Sequence, residues 1–280
     1  MANEAPVHFF DITSNLPIPS KSWSPNTLRT RLVLNYKKIP YTQSYISYPD
    51  IAPLLKSLSV PPLPPTVANY PYSLPAIAHP ATLANPTANP SGVINDSWAI
   101  ALHLEKTFPA PHHPTLFPST GSYALALAVT KLIRALGPAT LRILLPKIAD
   151  ILDERGAAYF RRTRAGIFGK PLEKLARDDA AAGGGGGEDV KKAWATVETD
   201  LGVVSEMLRG NGGAGPFFEG ERAGYADLVF AAYLAWFERG DRAAWERVVG
   251  VGDGEIRRLW DACVPWIEGQ GEEREFVVEK

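Results

Sequence analysis

Trp23-Ser24-Pro25-Asn26-Thr27-Leu28-Arg29-Thr30-Arg31 is the stretch on which the reading of this chain turns. Ser24 suits a helix N-cap, where a hydroxyl satisfies an orphan backbone N–H. Pro25 suits the first helical position, where a missing N–H costs nothing. Behind them Leu28, Leu32, Val33 and Tyr36 recur at helical spacing, with Arg29, Arg31 and Lys37 mostly off that stripe. The spacing predicts a helix whose positive dipole end lies beside the Ser24 hydroxyl and the Asn26 amide. Such an end holds an anion, a thiolate included. An ordinary capped helix reads the same way on these residues alone.

Working outward, Val7-His8-Phe9-Phe10-Asp11-Ile12 and Tyr41-Thr42-Gln43-Ser44-Tyr45-Ile46 have strand composition, and Ile39-Pro40 ends the helix between them. Strand, helix, strand implies a right-handed crossover and a parallel pair. Residues 50–58 suit a short helix. From 57 to 95 there is no charged residue, and nine prolines interrupt the run. That excludes regular structure throughout and predicts an ordered, partly buried loop system. Within it, Tyr72-Ser73-Leu74-Pro75-Ala76-Ile77 is strand-like, with a proline where a ladder donor would be lost. A cis Leu74-Pro75 bond would turn the Leu74 backbone outward to pair with something else; an edge-strand proline is the plain alternative. Gly92-Val93-Ile94 follows as a short strand. Asn95-Asp96-Ser97 then opens a helix over 98–106 with Ile100, Ala101 and Leu104 inward.

The Pro-rich residues 108–118 mark a domain boundary. Beyond it the pattern is helical over 123–136, 138–152 and 153–175, with Pro138, Pro146, Gly156, Gly166 and Gly169 as breaks or kinks. Residues 180–187, an Ala/Gly stretch, read as a mobile surface loop. Segments 190–208, 225–237 and 255–267 complete an all-α half without strand pattern.

Bulk properties bound the function. A chain of 280 residues supports about two domains. A net charge of -1 advertises neither nucleic acid nor an anionic membrane. The single cysteine, Cys263, excludes an internal disulfide framework, and its apolar helical surroundings predict a buried, inert thiol. His112-His113 adjoin in a Pro-flanked turn and read as solvent-exposed. Residues 1–10 carry no secretory signal, and Lys131, Arg134, Pro138 and Arg142 argue against a membrane span in the apolar run 123–145. The expected setting is reducing and cytoplasmic.

Taken in order, Trp23-Ser24-Pro25-Asn26-Thr27 with Arg31-Leu32-Val33-Leu34-Asn35-Tyr36-Lys37, Tyr48-Pro49-Asp50-Ile51, Tyr72-Ser73-Leu74-Pro75-Ala76-Ile77 and Ile94-Asn95-Asp96-Ser97 resemble a cytosolic glutathione transferase. The subtype most resembled is the fungal etherase-related serine class. Tyr159-Phe160-Arg161-Arg162-Thr163-Arg164 and Phe168-Gly169-Lys170-Pro171-Leu172-Glu173 resemble the same class. The likeness is continuous over residues 8–106 and patchier after. It implies an α/β thioredoxin-like N-terminal domain over 1–109, a linker over 110–118 and an all-α helical bundle over 119–280. Gly224, three residues before Asp227, stands where this family usually carries a Ser or Thr capping box.

The resemblance also implies roles. Asp96 and Ser97 would hold the γ-glutamyl end of glutathione, the carboxylate on its ammonium, the hydroxyl and helix amides on its carboxylate; a plain N-cap is the alternative. Leu74, before Pro75, would pair with the cysteinyl backbone as an added strand does. Lys56 would meet the glycyl carboxylate unless it is merely solvated. Ser24 would face the thiol with Asn26 assisting, and neither metal nor general base is needed. Tyr123, Phe160 and Arg164 would line an apolar pocket between the domains for the second substrate, or else be core. Three functions follow: a transferase attacking an electrophilic, aromatic small molecule, by conjugation or ether or ester cleavage, in detoxification or secondary metabolism; a glutathione-dependent isomerase or tailoring protein; and a non-catalytic binding module. No nucleic acid or membrane partner is expected, and monomer and homodimer both stay open.

Overall fold

A computed structural model of the chain describes residues 6–68, 70–79, 91–172, 174–175 and 187–276. The expected loop over 180–187 falls, save for Gly187, outside the described residues, as does Glu173 of the second helical motif. So do residues 69 and 80–90 of the uncharged loop. The chain divides into two compact units, Met1–Thr115 with Glu268–Lys280, and Leu116–Ile267.

The first unit is a thioredoxin-like layer of sheet and helices. Strand β1 (Val7–Ile12) is buried at every position, as its aromatic and β-branched residues require. Helix α1 (Pro25–Tyr36) returns the chain to β2 (Tyr41–Ile46), which pairs parallel with β1 from Val7↔Tyr41 to Ile12↔Ile46. Helix α2 (Tyr48–Ser57) leads through the uncharged loop to β3 (Ala76–Ala78), antiparallel to β1, and β4 (Val93–Asn95). Helix α3 (Ser97–Thr107) buries Ile100, Ala101 and Leu104 as its period predicts. The Leu74-Pro75 bond is cis.

Strand β5 (Glu272–Glu273) pairs parallel with β2, so the sheet runs β4-β3-β1-β2-β5. This corrects two expectations: Glu272 and Glu273, expected in the helical domain, belong with the sheet, and a strand follows the helical half. Two residues carry no readable period, whereas the unpaired edge of β2 offers backbone groups that any extended segment satisfies.

The second unit is helical. It holds α4 (Ser122–Ile148), α5 (Glu154–Phe168), α6 (Glu188–Arg209), α7 (Tyr225–Gly240), α8 (Arg242–Val249) and α9 (Glu255–Glu268). Three boundaries depart from the sequence reading. Helix α4 runs through Pro138 and Pro146 without ending; Pro138 and Arg134 are both exposed, so the carbonyl that loses its partner meets water. Helix α5 stops at Phe168 because Gly169 takes the left-handed conformation (φ 65) that ends a helix. Helix α8 has no counterpart in the sequence reading. Its start is set by Asp241, whose carboxylate accepts from Ala243 N at 3.0 Å. At the start of α7, Asp227 accepts from Gly224 N (2.8 Å) and Phe218 N (2.9 Å), completing the acidic half of a capping box. A side chain on residue 224 would meet Leu116 O and Pro118 Cδ at 3.2 Å, which explains the glycine.

Candidate functional site

The strand registers gather three loops at one edge of the sheet. β1 runs toward Ile12, β3 begins opposite its end (Phe10↔Ala76), and β4 ends opposite the start of β3 (Ala76↔Asn95). The parallel crossover puts the N-terminus of α1 at that same edge. Segments 23–26, 74–75 and 95–97 therefore converge there. Ligands bind beyond the carboxyl ends of parallel strands for this topological reason.

Ser24 occupies the N-cap of α1 with extended backbone (φ -69, ψ 129), and its carbonyl accepts from Leu28 N at 2.9 Å. Its hydroxyl makes no capping bond, which corrects the expectation that it would satisfy an orphan N–H. The residue is 5% exposed, and its hydroxyl has no partner among the described residues. Asn26 is exposed at the first turn of the same helix. Ser22 differs: it is fully buried and donates to Asp11 Oδ2 at 2.6 Å.

Leu74 is 3% exposed, yet neither its N–H nor its C=O has a partner among the described residues. Buried main-chain groups are rarely left so, because each costs about 1–3 kcal/mol. The carbonyls on either side of it are held by one side chain. Asn95 Nδ2 donates to Ser73 O and to Pro75 O, both at 2.7 Å. Asp96 N adds a bond to Pro75 O at 3.3 Å. Asn95 was not singled out by its sequence, since its two acceptors lie 22 and 20 residues back.

Asp96 caps α3, its carboxylate accepting from Ala99 N at 3.2 Å, and its backbone has φ 84. That conformation is costly for a residue with a side chain, about 1–3 kcal/mol, and such strain gathers at ligand sites. Ser97, the first residue of the helix, is buried. Lys56 is exposed near the end of α2, with its Nζ 5.2 Å from the Tyr72 ring centroid.

Two of the three charged residues that sequence spacing put off the buried stripe, Arg31 in α1 and Lys37 just after it, are in fact buried, while Arg29 is half-buried. Arg31 is fully buried and donates to Asp11 Oδ2 (3.0 Å), Tyr45 OH (3.2 Å), Tyr41 OH (3.1 Å), Gly269 O (3.1 Å) and Gln270 Oε1 (3.0 Å). Burial opposes its charge, but Tyr41, Asp11 and Tyr45 outweigh burial and raise its pKa. Lys37, also fully buried, pairs with Glu105 Oε2 at 2.6 Å and Pro114 O at 2.8 Å. His113, expected in solvent with His112, is half-buried with Nδ1 2.7 Å from Lys37 O. Histidines that look scattered are also paired: His79 Nδ1 and His103 Nε2 lie 3.0 Å apart.

In the helical unit Tyr123 is 46% exposed at the start of α4, its ring 5.5 Å from that of Phe117. Phe160 is buried in α5, with the half-buried Arg164 guanidinium 4.9 Å from its ring centroid. A cleft of about 620 Å³ in this unit is lined by Leu208, Arg209, Pro216, Glu255 and Arg258 among others, and includes none of those three. Cys263 is buried, and burial pushes its thiol well above the ordinary pKa. It offers no nucleophile.

A cis proline ahead of an antiparallel strand, an acidic residue opening the next helix and a separate helical unit define a thioredoxin-like fold joined to a helical second unit. Comparison names the family. Residues 23–107 match the N-terminal domain of glutathione S-transferases, and residues 124–266 match the C-terminal domain. The chain is 50% identical over 279 residues to the glutathione S-transferase-like protein ustS of Aspergillus flavus, covering 98% of this chain and 96% of that one. A glutathione S-transferase of Ceriporiopsis subvermispora, solved in complex with glutathione, superposes with a TM-score of 0.77 at 31% identity, over 94% of this chain and 98% of that one. Glutathione transferase GSTFuA3 of Phanerochaete chrysosporium gives 0.76 at 30% identity, over 99% and 100%. The protein belongs to the glutathione S-transferase family.

Proposed function

We propose that the protein is a glutathione transferase of the etherase-related serine kind, activating the glutathione thiol through Ser24 for attack on an electrophilic, aromatic small molecule. The observation that carries this reading is the Ser24 hydroxyl at the positive end of α1, without a partner among the described residues, with the main chain of Leu74 likewise unpartnered among them at the same end of the sheet. The tripeptide answers both. Its cysteinyl backbone pairs with Leu74 as an added strand, and its thiolate accepts from Ser24 Oγ. Asp96 takes the γ-glutamyl ammonium and Ser97 with the α3 amides its carboxylate. Asn26 assists at the thiol, and Lys56 meets the glycyl carboxylate.

The magnitudes close. A free thiol titrates near 8.5, so ionising it at neutral pH requires about two units, roughly 2.7 kcal/mol. A hydrogen bond to a charged acceptor supplies about 1.5–3 kcal/mol and the helix dipole about 0.3–1. The second substrate meets the helical unit at Tyr123, Phe160 and Arg164. A Phe160→Ala variant that keeps its stability and changes selectivity supports that assignment, and one that unfolds removes Phe160 from it.

The experiment is a titration of the bound thiol with a parallel conjugation assay on wild type, Ser24→Ala and Ser24→Cys. Ser24→Ala should raise the thiol pKa toward 8.5 and slow conjugation at neutral pH, leaving the fold intact. Ser24→Cys should place a reactive thiolate at a helix N-terminus and favour mixed-disulfide exchange with glutathione. Undiminished conjugation by Ser24→Ala at neutral pH would overturn the role given to Ser24.

A further inference from the structure

Residues 269–276 lie along the outer edge of β2 as a strap, and their attachment is polar and specific. Arg274 N donates to Gln43 O at 2.9 Å, and Ser44 Oγ to Arg274 O at 2.6 Å. Gln270 Oε1 accepts from Arg31 Nη1 (3.0 Å), Tyr45 OH (3.0 Å) and Gln43 Nε2 (3.3 Å), while Gly271 N donates to Gln43 Oε1 (3.2 Å). Phe276 closes the strap against His8 and Phe10, with ring centroids 4.7 and 4.9 Å away. The sequence Gly269-Gln270-Gly271 is explained by closeness. A Cβ on Gly269 would lie 2.6 Å from the Asn35 side chain, and one on Gly271 2.5 Å from the Tyr41 ring.

From Gln270 the contacts run inward without a gap. Arg31 bonds Gln270 through Nη1 and Asp11 Oδ2 through Nη2, and the same Asp11 oxygen accepts from Ser22 at 2.6 Å. Asp11 itself is fixed at the end of β1 by Ile12 N at 2.7 Å. The segment leading to Ser24 is irregular, so side chains must hold it. Ser14 bonds Lys21 O (2.8 Å), Trp23 Nε1 bonds Thr13 O (3.3 Å), and Ser22 bonds Asp11. Glu273 on the strap also meets Lys21 at 3.7 Å.

We propose that residues 269–276 are a positioning element of the glutathione site. Gln270, acting through Arg31, Asp11 and Ser22, holds residues 22–24 so that the Ser24 hydroxyl faces the bound thiol. This rests on the role proposed for Ser24 in activating that thiol. None of the four residues touches the reacting sulfur; each acts through its neighbour.

The test is the pH titration of the thiol of bound glutathione in the full chain, since a merely structural strap would change stability and leave that pKa alone. Gln270→Ala and Gly271→Leu should each raise it by about one unit, from about 6.5 to about 7.5, which cuts the thiolate fraction at neutral pH about threefold. Gln270→Glu, which keeps the acceptor for Arg31, should restore the wild-type value. If Ser24→Ala raises the pKa while Gln270→Ala and Gly271→Leu leave it unchanged, the strap is structural and the proposal fails. If the strap variants raise it and Ser24→Ala does not, positioning stands and another group on that loop is the thiol's partner. No shift in any of the three overturns both readings.

Discussion

Ser22 and Ser24 stand two residues apart, and both are buried. Ser22 donates a hydrogen bond to Asp11, inside a set of groups that also holds Arg31, Tyr45, Gln43 and Gln270. The Ser24 hydroxyl, at the head of α1, has no partner among the described residues, and Leu74 across the same edge has none for its main chain. One region pairs its buried charges internally, Arg31 with Asp11, leaving only Arg31 Nε of that guanidinium without a partner among the described residues. The other leaves its hydroxyl and main-chain groups open, where a ligand can meet them.

The comparison breaks first at Arg31. Arg31→Met leaves the Asp11 carboxylate buried without its counter-charge, and should cost about 3–5 kcal/mol of stability in urea unfolding. Pairing it with Asp11→Leu should recover most of that loss. A single-variant cost below about 1 kcal/mol would mean that the buried network is not what holds this edge.

Acid should act next. Burial lowers the His8 pKa from 6.5 to about 4. Between those values the folded chain binds fewer protons than the unfolded one, so stability rises with pH. The contribution is complete above 6.5 and is lost as pH falls toward 4, on the order of 2 kcal/mol. His8→Gln should flatten that part of the stability curve, measured by denaturation at a series of pH values. An unchanged slope would assign the acid sensitivity elsewhere, with His103, also lowered to about 4 chiefly by burial, the next residue to test.

Asn95→Ala sharpens the comparison from the open side. It releases Ser73 O and leaves Pro75 O only its longer bond from Asp96 N, and should weaken glutathione binding about tenfold, roughly 1.4 kcal/mol, in a calorimetric titration. The thiol pKa should stay put, because Asn95 orients the tripeptide backbone and does not touch sulfur. Lys56→Ala should do least. An exposed charge is worth up to about 1 kcal/mol, so the affinity should fall no more than fivefold, and less at high salt.

Much of the backbone geometry of the candidate site was legible because its code is local. Pro25 one residue after Ser24, Pro75 ahead of a short strand, and Asp96 with Ser97 at a helix start all state backbone geometry in neighbouring residues. The α1 cap misled for the same reason: a serine at that position reads as a cap, and only the structure turns its hydroxyl elsewhere. Arg31 and Lys37 misled more. Their spacing says surface, but their partners lie 10 to 239 and 68 to 77 residues away and bring them inside.

By itself the sequence determined the parallel β1–α1–β2 unit, the loop-borne residues at its edge and the helical character of the second half, because strand alternation, helix period and turn chemistry act over a few residues. Tertiary structure alone decided which polar groups are satisfied. It set Asn95 between two carbonyls, gave Asp11 two donors at once, and laid residues 269–276 against β2. Each is a pairing between distant segments, fixed only when the sheet closes and every buried donor must find an acceptor.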